Sequence, residues 1–264
     1  MKLPPGRVVQ RAPADTSLGL RRCVYGCLFY GGFRMSKKAL SYFSIGEWIL
    51  WCFSIVLILV SFCIFGGNGF LTLIASLIGV TSILINAKGN PLGQLLMILF
   101  SLLYGIISYS FSYYGEMITY LGMTMPMAAF ALITWLRHPY NGNRSEVRVN
   151  SITKKETAAM FLAAVLVTAI FYQILCYFHT ANIVPSTISV TTSFLAVYLT
   201  FRRSPYFSLA YAANDVVLIV LWTLASLCDK RYIAVIVCFA MFLVNDIYGF
   251  ISWQRMKVKQ GEGE

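Results

Sequence analysis

The chain has 264 residues, of which 58% are hydrophobic and only 12% charged, with a mean hydropathy of +0.71. Soluble domains average about a quarter charged residues, so this composition excludes an ordinary water-soluble globule. The formal charge of +11 would suit a nucleic-acid partner, but the cations sit where that partner is excluded too.

In chain order, residues 1–44 read as a basic N-terminal extension. Up to Arg34 it holds Pro4-Pro5, six basic residues and one acid, without sustained periodicity. Disorder is expected there, and Met35-Ser36-Lys37-Lys38 reads as a second start. The apolar patch 24–33 is interrupted by glycine and cysteine and lacks a small-residue cleavage site, unlike a signal peptide.

Eight apolar stretches follow, near 46–65, 70–86, 92–111, 117–136, 157–178, 183–200, 206–227 and 233–253. Each is long enough to cross about 30 Å of hydrocarbon at 1.5 Å per residue. A transmembrane barrel would need alternating segments of ~10 residues, and these are absent. The expected fold is therefore all-α and polytopic, with a transmembrane domain over 45–254 and a tail over 255–264.

No lysine or arginine falls inside a predicted stretch. Eight precede the first; the others follow at Lys88, Arg137, Arg144, Arg148, Lys154, Lys155, Arg202, Arg203, Lys230, Arg231, Arg255, Lys257 and Lys259. Only Lys230 and Arg231 fall on the second face. By the positive-inside rule both termini are expected in the cytoplasm of a plasma-membrane protein.

Short loops force neighbouring helices antiparallel. The exception is the basic loop 138–156, which divides the helices into a leader, three, a linker (157–178) and three. The two trios, 70–137 and 183–254, look like copies. Lys88-Gly89-Asn90-Pro91-Leu92 resembles Arg202-Arg203-Ser204-Pro205-Tyr206, with prolines 114 apart. Tyr114 to Trp135 and Tyr232 to Trp253 keep an offset of 118, as do Arg137 and Arg255. One intervening helix gives both trios the same orientation, a parallel repeat.

Polar groups stranded in hydrocarbon carry the functional signal, because burying them costs several kcal/mol unless they are paired or face water. Asp215 lies close to mid-membrane, with Ser208 and Tyr211 on its helical face. In the last stretch Asn245 ranks above Asp246, aligned with Phe242, Gly249 and Ser252. In the first trio Gln94, Ser101 and Ser108 recur every seven residues, and the repeat offset sets Gln94 opposite Ser208 and Ser101 opposite Asp215. Tyr104, Tyr211, Trp222 and Phe242 lie deep enough to stack on a flat ligand. The competing reading for each is plain packing: helix glue for the amides and core for the rings.

Several classes drop out. A Walker loop is missing, so the chain does not itself hydrolyse ATP. His138 and His179 stand at span ends without a protease motif, and no span contains a lysine for a Schiff base. The seven cysteines have no metal-site spacing and read as small apolar fillers. The chain is expected to be no enzyme, with no cofactor and no metal.

From Phe70 to Arg255 the residues resemble the PnuC nicotinamide riboside transporters. The matches are Ala87-Lys88-Gly89, Tyr113-Tyr114-Gly115-Glu116-Met117, Pro126-Met127 before Trp135, Arg202-Arg203, Asp215, and Asn245 through Trp253. The resemblance implies a leader plus a three-one-three layout. It also implies facilitated diffusion of a vitamin-like nucleoside that feeds NAD synthesis, driven only metabolically by a cytoplasmic kinase. Gln94 and Asn245 match polar ligand positions of the family. Where the family carries W-x-x-W, this chain has Ser208 and Tyr211.

The expected function is a uniporter for nicotinamide riboside by alternating access. Gln94 and Asn245 would bond the amide or ribose, Tyr211 would stack, Asp215 would offset the pyridinium charge or hold the ribose hydroxyls, and Ser208 would join them at the substrate. Ser101, Tyr104, Trp222, Phe242 and Asp246 would stand behind them. The rival readings are a vitamin-binding subunit of an ATP-driven importer, a carrier for thiamine, riboflavin or deoxynucleosides, and a receptor or structural membrane protein. No motif couples transport to an ion or sets an oligomeric state, so a homo-oligomer stays open.

Overall fold

Helices dominate the computed structural model, which describes residues 42–65, 69–110, 113–180 and 182–261. The leading unit, Met1–Ser44, is represented by residues 42–44, so the expectations for 1–34 and for Met35 lie outside the described residues. The second unit is Ile45–Glu264.

Among the described residues, eight helices are long and apolar enough to span a membrane. They are α1 (Ile45–Phe65), α2 (Phe70–Ala87), α3 (Leu92–Ser110), α4 (Tyr114–Arg137), α5 (Lys154–Tyr177), α6 (Ile183–Phe201), α7 (Phe207–Ser226) and α8 (Ile233–Gly261). Each coincides with a predicted stretch. Two run further into the basic end: α5 begins at Lys154, not 157, and α8 continues to Gly261, not 253. Polar helical turns outside hydrocarbon carry no hydropathy signal. For α5 the start is set by Thr153, whose hydroxyl accepts from the Glu156 N–H at 3.2 Å, a helix N-cap.

The helices close into a ring. α2 packs on α3, α3 on α4, α4 on α6, α6 on α7, α7 on α8, and α8 back on α2. Outside it, α1 lies against α2 and α8, while α5 lies against α6 and the first turns of α4. Both outer helices keep large apolar side chains exposed, Phe53 and Val56 on α1, Leu162 and Val165 on α5. Exposed rows of this kind suit lipid.

Matching details recur in the two halves. The α2–α3 and α6–α7 turns each place one residue in the left-handed region, Gly89 (φ 67) and Arg203 (φ 58). In each, the next N–H reaches back to close the helix end, Asn90 to Ile85 O at 3.4 Å and Ser204 to Leu199 O at 3.0 Å. Proline follows both times. The indole N–H of Trp135 donates to Thr200 O at 2.9 Å, and that of Trp253 donates to Asn86 O at 2.8 Å. Even the outer helices correspond. Glu47 of α1 pairs with Lys88 at 3.1 Å, and Glu156 of α5 pairs with Arg202. The leader and the linker helix thus brace equivalent turns.

Two local features are absent from the sequence expectations. α4 contains a π-helical turn, Tyr120–Thr124, where Met125 N–H bonds back to Tyr120 O. Pro126 follows; it has no N–H to donate and its ring crowds the preceding turn, so the helix widens there. The loop after α4 forms a hairpin, β1 (Pro139–Tyr140) with β2 (Asn143–Val147), about a left-handed Asn141-Gly142 pair.

Candidate functional site

At the ring's centre lies a cavity lined from all six ring helices and from neither α1 nor α5. Its free space is about 30 Å³, room for roughly two water molecules. One wall is aromatic: Phe100 of α3, Tyr120 of α4, and Phe239 and Phe242 of α8. The Phe100 and Phe242 rings meet edge to face at 5.6 Å, as do Phe239 and Phe242 at 5.5 Å. Gly79 makes this possible, because a Cβ there would collide with the Phe242 ring.

The other wall is polar, formed by Asn86, Ser193, Asn214, Asp215 and Asp246. The Asp215 and Asp246 carboxyls face the same space from α7 and α8. Asp215 Oδ2 is buried and has no partner. Asn214 Oδ1 accepts from Thr192 at 2.8 Å and Ser193 at 3.1 Å, fixing its amide against α6. Asn86 is held by Gln94, whose Nε2 donates to Asn86 Oδ1 at 2.9 Å. Gly93 leaves the space for that amide.

Aromatic layers stand at both ends of the cavity. Towards the α7–α8 loop, Trp222 packs between Tyr113 at 5.0 Å and Tyr232 at 5.3 Å, and its indole donates to the Tyr104 hydroxyl at 2.9 Å. Towards the basic end, Trp135 and Trp253 meet at 5.3 Å, and Phe207 abuts Trp253 at 4.8 Å. The cavity's open space lies between these two aromatic layers.

The structure gathers some of the expected residues and separates others. Tyr211, Asp215, Phe242 and Asp246 line the cavity. Gln94 is buried one hydrogen bond behind it, through Asn86. Asn245 does not line it: its amide donates to Ser54 Oγ of α1 at 2.9 Å and to Met241 O at 2.7 Å. Neighbouring residues on a helix point about 100° apart, so with Asp246 facing inward Asn245 faces α1, the reverse of the expected ranking. Ser208 is also turned away. It meets Gly249, where an added Cβ would lie 2.9 Å from the Ser208 hydroxyl. Tyr104 and Trp222 belong to the aromatic layer, and Ser101 is buried in α3 with an unpartnered hydroxyl.

Sequence reasoning passed over Asn86, Asn214, Tyr120 and Phe239. Asn86 was legible as an amide at the end of an apolar stretch. Asn214 was legible as an amide beside Asp215 in an apolar stretch, and the rings had no signal to separate them from core.

The family model described as nicotinamide mononucleotide transporter matches residues 69–255. The nicotinamide riboside transporter PnuC of Neisseria mucosa is 24% identical over 205 residues, covering 76% of this chain and 78% of that protein. Among solved structures, the crystal structure of the vitamin B3 transporter PnuC superposes with a TM-score of 0.73 at 22% identity. It covers 83% of this chain and 94% of the other.

Proposed function

This chain belongs to the nicotinamide mononucleotide transporter family, and from that premise we propose that it carries nicotinamide riboside across the membrane by facilitated diffusion. The reading rests on one arrangement: a cavity that every ring helix helps to line, with aromatic rings on one side and carboxyls and amides on the other. A flat cationic pyridinium ring joined to a hydroxyl-rich sugar needs those two faces. Tyr211, Phe242 and Phe100 supply stacking surface; Asp215 and Asp246 supply negative charge and acceptors for ribose hydroxyls. Asn86, oriented by Gln94, offers an amide to the carboxamide of the substrate. Asn245 and Ser208 are not ligands in this reading; they hold α8 against α1 and α7.

Nucleoside-sized ligands occupy pockets of about 300 Å³ or more, tenfold the free space here. Admission requires one aromatic layer to part while the other stays shut, which is alternating access between the two trios. Uptake needs no ATPase partner and no coupling ion; the gradient is maintained by consumption of the substrate inside the cell.

The experiment is uptake of labelled nicotinamide riboside by the purified chain in liposomes. Saturable uptake that is unaffected by ionophores and lost in Asp215→Asn supports the reading. Accumulation only with an added ATPase, or wild-type rates in Asp215→Asn, would overturn it.

A further inference from the structure

A second cavity of about 440 Å³ opens at the basic end and shares no lining residue with the central one. Its size falls in the range of small-molecule sites. Three separate segments build it: the loop after the hairpin (Arg148 to Ser151), the α6–α7 turn (Arg203), and the end of α8 (Lys257 to Gly261), together with His138. Arg148, Arg203, Lys257 and His138 line it, and among the described residues no carboxylate does. Of the described acids, Glu146 is engaged with Gln260 and Lys259, and Glu156 with Arg202.

The walls are pinned. Gln260 is buried; its Oε1 accepts from Val149 N–H at 2.8 Å and its Nε2 donates to Val147 O at 3.1 Å. Asn150 donates from its backbone to Arg203 O at 3.0 Å and from its side chain to Arg202 O at 3.1 Å. Arg203 is the informative residue. The matching turn of the first half uses Gly89, which adopts the left-handed conformation freely, whereas the Cβ of an arginine crowds the following carbonyl there. Its Nε is buried without a partner. Burial, and then the charges of Arg202 and Arg148, hold its guanidinium below the usual arginine range. An anion would relieve both the crowding of like charges and the unpaired donor.

We propose that this basin binds a small phosphate-bearing anion, with Arg203 and Lys257 as its principal ligands and Arg148 and His138 beside them. A guanidinium fork and an ammonium converging on one space fit the several oxygens of a phosphate better than a single carboxylate. A phosphorylated nucleotide and a phospholipid headgroup share that chemistry.

The test uses the full chain purified in neutral detergent. Its thermal midpoint is followed while sodium pyrophosphate, or adenosine monophosphate, is titrated against sodium chloride at matched ionic strength. Wild type should show a saturable rise. Arg203→Gly, which restores the glycine of the matching turn and so keeps the fold, and the exposed-site variant Lys257→Gln should each need at least tenfold more ligand. A parallel arm compares phosphatidylglycerol with phosphatidylcholine vesicles. A rise confined to phosphatidylglycerol and lost in both variants identifies the headgroup as the source. No rise with any phosphate probe, or one unchanged in both variants, overturns the proposal.

Discussion

Asp215 is an exacting residue for the fold to hold. It is buried, one carboxyl oxygen has no partner, and Asp246 faces the same space. Nothing in the fold benefits from an unsatisfied carboxyl, since such a group costs about 1–3 kcal/mol or more. Asp215→Asn is therefore expected to leave the thermal midpoint level or higher while cutting nicotinamide riboside uptake at least tenfold; differential scanning fluorimetry and liposome uptake separate the two effects. Asn245 makes the opposite prediction. Its amide ties α8 to Ser54 of α1, outside the cavity. Asn245→Ala should lower stability by about 1–2 kcal/mol while substrate affinity, read by isothermal titration on the folded fraction, stays within about twofold. Gly79 is a third kind of residue, conspicuous by what it omits. Gly79→Ala forces a methyl into the Phe242 ring, an overpacking change worth about 1–3 kcal/mol, and it should weaken both stability and uptake.

Elements act in pairs. Trp135 and Trp253 each bond a carbonyl at the end of the first helix of the opposite trio, and the two rings touch each other. Replacing either by phenylalanine removes an N–H donor but little volume. Each change should cost about 1 kcal/mol, and a double-mutant cycle on the thermal midpoint should show coupling because the rings are in contact. The hairpin after α4 adds a third tie, with Val147 N–H donating to Gly89 O at 2.9 Å. That hairpin was legible in principle: Asn141-Gly142 is the strongest two-residue turn signal available, but the polar loop around it has no alternating apolar pattern to accompany it.

For the whole molecule, the distribution of cations distinguishes two ends. Lys88, Arg202 and the end of α8 fall at one end, and the α7–α8 loop with Cys228 at the other. Cys228 is exposed. If the basic end faces the cytoplasm, a membrane-impermeant maleimide should label Cys228 in intact cells, and Cys228→Ser should abolish that labelling. Labelling only after permeabilisation would reverse the orientation.

The sequence by itself determined the eight helices, their alternation, the duplicated turns and the family, because each follows from hydropathy, helix length or local spacing. It also marked Asp215, since an ionisable group in the middle of an apolar helix is conspicuous without coordinates. Only the tertiary structure decided which face of each helix turns inward. Asp246 rather than Asn245, and Asn86 rather than Gln94, meet the cavity because α1 covers one side of α8, and because Gln94 spends its amide on its neighbour. The matching roles of α1 and α5 and the basin around Arg203 were equally hidden. Both arise from contacts between residues more than forty positions apart, and a one-dimensional pattern holds no record of which distant side chain takes a donor or leaves it open.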